Sequence, residues 1–474
     1  MITYLYILEK NWQTKTSMIS LQYLLFCAGS FSTLQSGLSL GWSSYALPQL
    51  MQNGSSIPLT NNEGSWVASS FLIGTIFGSL LTGFTIDVFG RRTMLLVTSL
   101  PLFGMWLLIA YAKTSWDLYL ARFIAGVADG FLLPCLPLYL GEVCNSKYRG
   151  FFISGTVVVV FTGTFLANLL GAFLSITVNA FISAILSLVP FILYLFVPES
   201  PQFYVINNKN DQARISLRKF NRNGDVDALF GSIRNTLIEQ QANKKSWLEL
   251  FADKVNCKTL TLMIALGVFH QFSGILGITF YIETLFEQAS KNVNPIVLIS
   301  VYYVLQIVTS VANAFLIDRA GRRPLLLTAM CLVTAGLICV TSYFVFEHVG
   351  LANLSTYSWL AVLGLLVFII GYTVGLVVVP VVLCSELFSL DFKSRAVTII
   401  NVIVALIGAG VPKFFQYTKD KYGAYVPFLT FAICSACSII FIYFYIPETK
   451  RKTLEEIQND LRSRQALLSK SEHA

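Results

Sequence analysis

Twelve apolar runs, each roughly 20 residues long and able to cross a bilayer as a helix, set the frame. Six begin near Met18, Trp66, Met94, Leu118, Phe151 and Phe181; six more begin near Leu260, Pro295, Leu325, Trp359, Val397 and Val426. Hydrocarbon offers no partner for a backbone N–H or C=O, so each run must satisfy its own backbone, and a helix does so within one segment. The expected fold class is an all-α polytopic membrane protein. It has twelve transmembrane helices in two six-helix bundles, on either side of a polar stretch at 198–257. Composition agrees: 55% of residues are hydrophobic and 12% charged, against about 25% charged in soluble domains.

The two halves repeat each other. Ile86-Asp87-Val88-Phe89-Gly90-Arg91-Arg92 returns as Ile317-Asp318-Arg319-Ala320-Gly321-Arg322-Arg323, each a tight charged turn between two apolar runs. Glu142 stands seven residues before Arg149, as Glu386 does before Lys393. Pro198-Glu199-Ser200 returns as Pro447-Glu448-Thr449. A duplicated apolar half points to a transporter built from repeats. The glycine lets two helices reverse within a few residues. An arginine fork meeting a carboxylate gives directional, breakable contacts. Asp87, Arg91, Arg92, Glu142, Arg149 and Glu199, with Asp318, Arg322, Arg323, Glu386, Lys393 and Glu448, are therefore read as a conformational latch. A lone copy would read as a solvated topogenic turn; two matched copies favour the latch.

The net charge of +8 is basic residues beside the membrane, not a nucleic-acid surface. They gather on the side holding both termini and the central stretch, which places that side in the cytoplasm. Expected boundaries are a cytoplasmic tail at 1–16, bundles at 17–197 and 258–447, a cytoplasmic helical loop at 198–257 and a tail at 448–474. Within the loop, Asn221-Arg222-Asn223-Gly224 reads as a turn between short amphipathic helices, and Thr453 as the start of a further helix. The glycosylation triplets at Asn53 and Asn353 fall in outer loops. The nine cysteines form no disulfide or metal-ligand pattern. No nucleophile–base pair, metal cluster or phosphate loop is present, so no catalytic residue, metal or cofactor is assigned.

Further motifs identify a resemblance. They run from Gly41-Trp42-Ser43-Ser44 and Glu63-Gly64-Ser65-Trp66 through Arg122-x-x-x-Gly126-x-x-x-Gly130 and Pro137-x-Tyr139-x-x-Glu142. Gln271-Phe272-Ser273-Gly274-Ile275, Lys413 and Pro447-Glu448-Thr449-Lys450 complete them. With the paired turns, these resemble sugar porters of the major facilitator superfamily, and within them the insect facilitated trehalose and hexose transporters. The resemblance implies a central sugar site that opens alternately to each face. It assigns solute binding to Gln271, His270, Gln306, Phe280 and Tyr281. It also shows departures: His270, Leu276 and Phe280 stand where the family usually has Gln, Asn and Tyr. Val157, Val381, Val404 and Ala405 replace further polar or aromatic positions.

Asp129 is an acid inside the fourth run, where such groups are costly and often functional. It either serves solute or proton binding or turns inward to a neighbouring helix; the second reading is favoured. His270 is read as a cavity-facing hydrogen-bond partner and Lys413 as a snorkelling or helix-capping residue. The first run holds no Asp or Glu, which favours uniport. The expected function is facilitative transport of a sugar such as trehalose or glucose, by a monomer in the plasma membrane. The alternatives are a polyol or non-sugar carrier, a proton-coupled sugar symporter using Asp129, and a non-transporting solute sensor.

Overall fold

The structure, a computed structural model, describes residues 2–52, 54–144, 146–220, 225–242, 254–289, 293–350, 357–388, 390–450 and 456. At 2–20, 146–148, 236, 239–242, 254, 318, 385 and 390–395 it describes the backbone alone. Asn53, Asn353, the turn expected at 221–224 and the helix start expected at Thr453 lie outside the described residues. So do the side chains of Asp318 and Lys393.

Among the described residues every regular element is a helix. The first six are α1 (Ile2–Met51), α2 (Asn61–Phe89), α3 (Arg91–Ala110), α4 (Ser115–Val143), α5 (Ser146–Phe173) and α6 (Ile176–Leu195). Three short helices follow: α7 (Pro201–Ile206), α8 (Asn210–Phe220) and α9 (Val226–Ala242). The second series is α10 (Lys254–Gln271), α11 (Ile275–Ala289), α12 (Pro295–Ala320), α13 (Arg322–Val349) and α14 (Ser358–Gly371). A π-helical turn (Tyr372–Leu376) leads to α15 (Val379–Leu387), α16 (Leu390–Tyr422) and α17 (Tyr425–Tyr445).

Eleven described stretches are long and apolar enough to cross a membrane, with α10–α11 and α14–α15 each forming one interrupted span. The twelfth span is α1. It is less apolar because Ser32, Gln35, Ser36, Ser39, Ser43 and Ser44 are turned inward and buried. Its backbone helix starts at Ile2, well before the apolar run near Met18. The central stretch folds as short helices, α7–α9, around Val205, Ala213, Leu217 and Phe230.

Local chemistry sets the helix starts. Thr60 with Glu63, and Thr114 with Asp117, form reciprocal capping boxes that satisfy the free N–H groups of α2 and α4. Asn294 caps α12 and Ser200 caps α7, each followed by proline at the first helical position. The charged turns depend on Gly90 and Gly321, at φ 94° and 92°. An L side chain resists that region, so glycine permits α2 to hand over to α3, and α12 to α13, without a loop.

The chain divides into two compact units. One comprises Met1–Ser39, Gly74–Gly163 and Leu174–Asn243; the other comprises Leu40–Ile73, Thr164–Phe173 and Lys244–Ala474. In the first unit α2 and α4 pack with almost no side chain between them. A Cβ at Gly130 would meet the backbone of Thr75, Gly78 and Ser79, and Thr82 Oγ1 donates to Gly130 O at 3.1 Å. Close glycine packing of this kind replaces the hydrophobic drive that lipid removes. Polar groups of α1 tie the same unit: Trp106 Nε1 donates to Gln35 Oε1 at 2.8 Å, and Gln35 Nε2 to Ser183 O at 3.1 Å.

The second unit includes the end of α1, the start of α2 and the end of α5. Within it Ser44 Oγ donates to Asn168, and Lys413 Nζ donates to Asn62 and, at 3.2 Å, to Ser65 Oγ. The Lys413 ammonium lies 4.7 Å from the Trp66 ring centroid, a cation–π contact. Asn61 Nδ2 donates to Asp420 at 3.1 Å. Lys413 therefore joins the start of α2 to α16, a role more specific than snorkelling.

Candidate functional site

The duplicated turns build the same charged cluster twice. In the first unit Arg91 reaches Asp87 at 2.9 Å and Glu142 at 3.0 Å. Ser200 Oγ donates to the other Glu142 oxygen. Arg92 turns away and donates from Nε to Tyr194 O and from Nη2 to Leu195 O, both at 2.8 Å. It thereby caps the open carbonyl end of α6, where a cation also meets the negative end of the helix dipole.

Glu199 takes a different role from the guanidinium partner the sequence suggests. Its carboxylate accepts from the backbone N–H groups of Arg92 at 3.0 Å and Thr93 at 3.3 Å. That places an anion at the N-terminus of α3, the favourable end of its dipole. Glu142 carries the charge pairing with Arg91, and Arg149 is exposed.

The second unit repeats the pattern. Arg322 reaches Glu386 at 2.9 Å, and Thr449 Oγ1 donates to the other Glu386 oxygen at 2.6 Å. Glu448 accepts backbone N–H bonds from Arg322 and Arg323, each at 3.1 Å. Arg323 Nη2 donates to Tyr443 O at the end of α17. Burial opposes the charge on Glu448. The four backbone donors of Lys450, Arg322, Arg323 and Thr449 outweigh it and hold the carboxyl below its ordinary value. Ser200 and Thr449 were read from the sequence as part of the repeated Pro-Glu-hydroxyl triplet and given no role of their own.

The two copies differ in burial. Arg91 and Glu142 are each only 4% exposed, whereas Arg322 and Glu386 are 14% and 24% exposed. Breaking a buried pair strands a charge and costs about 3–5 kcal/mol, while an exposed pair is worth about 1 kcal/mol or less.

A second constellation lies on α10–α12 and the π turn, all in the second unit. Gly274, at φ 85°, ends α10 and lets α11 restart, as Ser273-Gly274 suggests. The break places His270 and Gln271 at the end of α10. His270 Nε2 lies 3.2 Å from Tyr372 Oη, while the Gln271 amide packs against Gly408.

Buried polar atoms cluster here. Among the described residues Gln271 Oε1, Tyr281 Oη, Tyr302 Oη, Gln306 Oε1 and Asn313 Oδ1 have no hydrogen-bond partner. These atoms lie on three consecutive helices, and each costs about 1–3 kcal/mol when left unpaired. Phe280 is fully buried; Tyr281 is nearly so, stacked on Phe415 with ring centroids 5.4 Å apart. The structure thus brings His270 to Tyr372 and Tyr281 to Phe415. Gln271 and Gln306 are left with free carbonyl oxygens. The π turn and Tyr372 were missed in the sequence, where Gly371, Gly375 and Pro380 are the local hints.

Asp129 in α4 is buried and accepts a hydrogen bond from Ser36 Oγ of α1. Seven residues earlier on α4, Arg122 Nη1 donates to Ser39 O at 2.6 Å and to Ser39 Oγ at 3.0 Å. The acid and the base therefore grip α1 one turn apart. Among the described residues no group of three or more His, Cys, Asp or Glu side chains has metal-binding geometry.

Comparison with known proteins gives a consistent picture. A family model described as "Sugar (and other) transporter" matches residues 24–461. "Sugar transporter ERD6-like 7" of Arabidopsis thaliana is 30% identical over 447 residues, 93% of each chain. "Facilitated trehalose transporter Tret1" of Apis mellifera ligustica is 27% identical, covering 93% of this chain and 88% of the relative. The protein of the same name from Drosophila virilis is 29% identical over 94% of this chain. The chain spans only about half of that relative, 49% of its length. Among solved structures, "Inward open conformation of the xylose transporter XylE from E. coli" superposes with a TM-score of 0.77. It shares 20% identity and covers 92% of this chain and 99% of its own. At that identity the likeness establishes the twelve-helix major facilitator fold.

Proposed function

The chain belongs to the sugar transporter family, and from that premise we propose that it is a facilitative carrier of a sugar by alternating access, with trehalose the leading candidate and glucose the next. The observation that carries the reading is the set of unpartnered buried amide and hydroxyl oxygens on α10–α12. A sugar hydroxyl both donates and accepts, so it satisfies groups that lipid and apolar side chains cannot. Relatives named for trehalose transport support the choice of solute.

Uniport follows from the placement of charge. The apolar run of α1 from Met18 carries no acid, and Asp129 is engaged by Ser36. The paired arginine clusters serve as cytoplasmic latches, each a switchable contact at helix ends. The reading places both termini and the stretch at 198–257 in the cytoplasm, and residues 17–197 and 258–447 in two bundles. It takes the plasma membrane as the location, the monomer as the working unit, and Asn53 and Asn353 as glycan acceptors. Purified protein in liposomes, offered labelled trehalose, glucose, fructose and polyols, tests it. Saturable trehalose or glucose entry supports the assignment, and entry of polyols alone replaces it.

A further inference from the structure

We propose that Glu283 is a proton-binding site that governs the seating of the end of α11, making the carrier sensitive to pH without coupling it to a proton gradient. The site itself stands on the geometry of the second unit; its effect on flux rests on the sugar-carrier reading.

α11 is not one straight helix. Tyr281, at φ −119° and ψ 17°, breaks its helical path, and its ring is held against Phe415 of α16. The segment beyond that hinge carries Glu283 into a cleft between the end of α5 and the start of α12. Phe165 and Asn168 of α5 and Ile296, Ile299 and Ser300 of α12 line the cleft with it. The cavity holds about 10 Å³, the lower limit for one water and far too little for a sugar. Glu283 is half-buried there, inside an apolar stretch long enough to span a bilayer.

The donors and acceptors of the cleft favour the neutral acid. A carboxylate only accepts hydrogen bonds, whereas a carboxylic acid also donates one. Ser300 Oγ spends its proton on Ile296 O at 2.7 Å, and Asn168 Nδ2 donates to Thr164 O at 2.8 Å. What these two side chains keep open is chiefly lone pairs, which a carboxyl O–H can meet and a carboxylate cannot. Among the described residues no cation offsets a charge on Glu283; the charge that acts on it is Glu287, exposed and one turn further along α11. α5 carries Lys147 and Arg149, and α12 carries Asp318 and Arg319, at the ends remote from the cleft. α14 has no ionisable side chain. α16 brings Lys413, Lys419, Asp420 and Lys421, of which Asp420 acts on Tyr281. A buried charge without a counterion is costly, and one proton removes it. Unseating the segment returns the carboxyl to water, where it releases that proton. Seating therefore takes up a proton, and alkaline pH disfavours it. The proton enters and leaves with the same movement, so it regulates flux and drives nothing.

Infrared spectroscopy of the purified full chain in detergent tests the site. A protonated carboxyl C=O band should be present at neutral pH and lost in Glu283→Gln. Exchange of labelled trehalose or glucose in liposomes, with pH equal on both sides, tests the effect. The wild-type rate should fall as pH is raised, by up to about tenfold per unit beyond the midpoint for a single proton. Glu283→Gln should hold the acid rate at every pH. Glu287→Gln removes the like charge and should move the fall to lower pH, a readout that does not depend on Glu283→Gln folding. Absence of the carboxyl band at neutral pH, or a pH profile unchanged by both variants, overturns the inference. No saturable flux of either sugar through the wild-type chain, with the band retained, instead removes the sugar-carrier reading and leaves the proton site standing.

Discussion

Gln271 and Asp129 show how far a single polar side chain inside a membrane span can be interpreted. Gln271 has a carbonyl oxygen with no partner, an arrangement that a packed core avoids and a binding site uses. Gln271→Ala is expected to weaken transport affinity by roughly tenfold to a hundredfold, with normal surface expression. Kinetics and surface level measured on the same cells check this; normal affinity in a well-expressed variant takes the residue out of the site. Asp129 is the opposite case, because Ser36 already binds it. Asp129→Asn keeps an oxygen to accept that bond, so initial uptake should remain insensitive to an uncoupler. Accumulation that needs a proton gradient and is lost in Asp129→Asn would install symport instead. The sequence alone exposed both residues as polar within apolar runs. It gave no view of Ser36 as the partner, because that contact spans 93 positions.

At the scale of helices and turns, the Gly-Arg-Arg junctions carry more weight than any span. Their two copies have matching contacts but unequal burial, and burial decides the ranking of variants. Arg91→Ala strands Glu142, 4% exposed, whereas Arg322→Ala leaves Glu386, 24% exposed, able to meet water. The first variant should therefore lose more thermal stability, by about 2–4 kcal/mol in excess. Equal losses in both variants would show that burial does not govern the clusters. On the proposed latch reading, both variants should also increase labelling of cysteines on the side that holds these turns, with a population shift near tenfold for a coupling of about 1.4 kcal/mol.

The carboxylate of Glu448 adds a pH dependence. Its folded value lies below the ordinary 4.5, so its contribution is complete above that value and fades as pH falls through the lower folded value. The stability gap between wild type and Glu448→Gln should accordingly be present at neutral pH and close in acid. A gap unchanged across that range would mean that charge on Glu448 is immaterial to the turn.

These junctions were legible because glycine, arginine and acid recur in register in both halves. The capping role of Glu199 and Glu448 was not. Which donor a carboxylate meets depends on where a helix N-terminus arrives, and spacing alone does not fix that. The break after Gln271 was legible from Ser273-Gly274. The π turn was not, although Pro380 lies four residues after Leu376, where its ring removes a backbone donor and crowds the Leu376 carbonyl.

For the whole molecule, twelve spans and a duplicated half were readable because bilayer thickness and backbone satisfaction leave few alternatives. Membership in the sugar transporter family rests on a match over residues 24–461, far beyond any single motif. Solute identity is the part least visible in the chain. It depends on a few hydrogen-bonding atoms, and several positions that usually supply them are Val or Leu here. The central claim is facilitative sugar transport, and the most direct measurement is entry of labelled trehalose and glucose into liposomes holding the purified chain, with and without an uncoupler. The account predicts saturable entry of at least one of them, halting at equal inside and outside concentrations and unaffected by the uncoupler. No saturable entry of either sugar, or uphill accumulation that the uncoupler collapses, would contradict it.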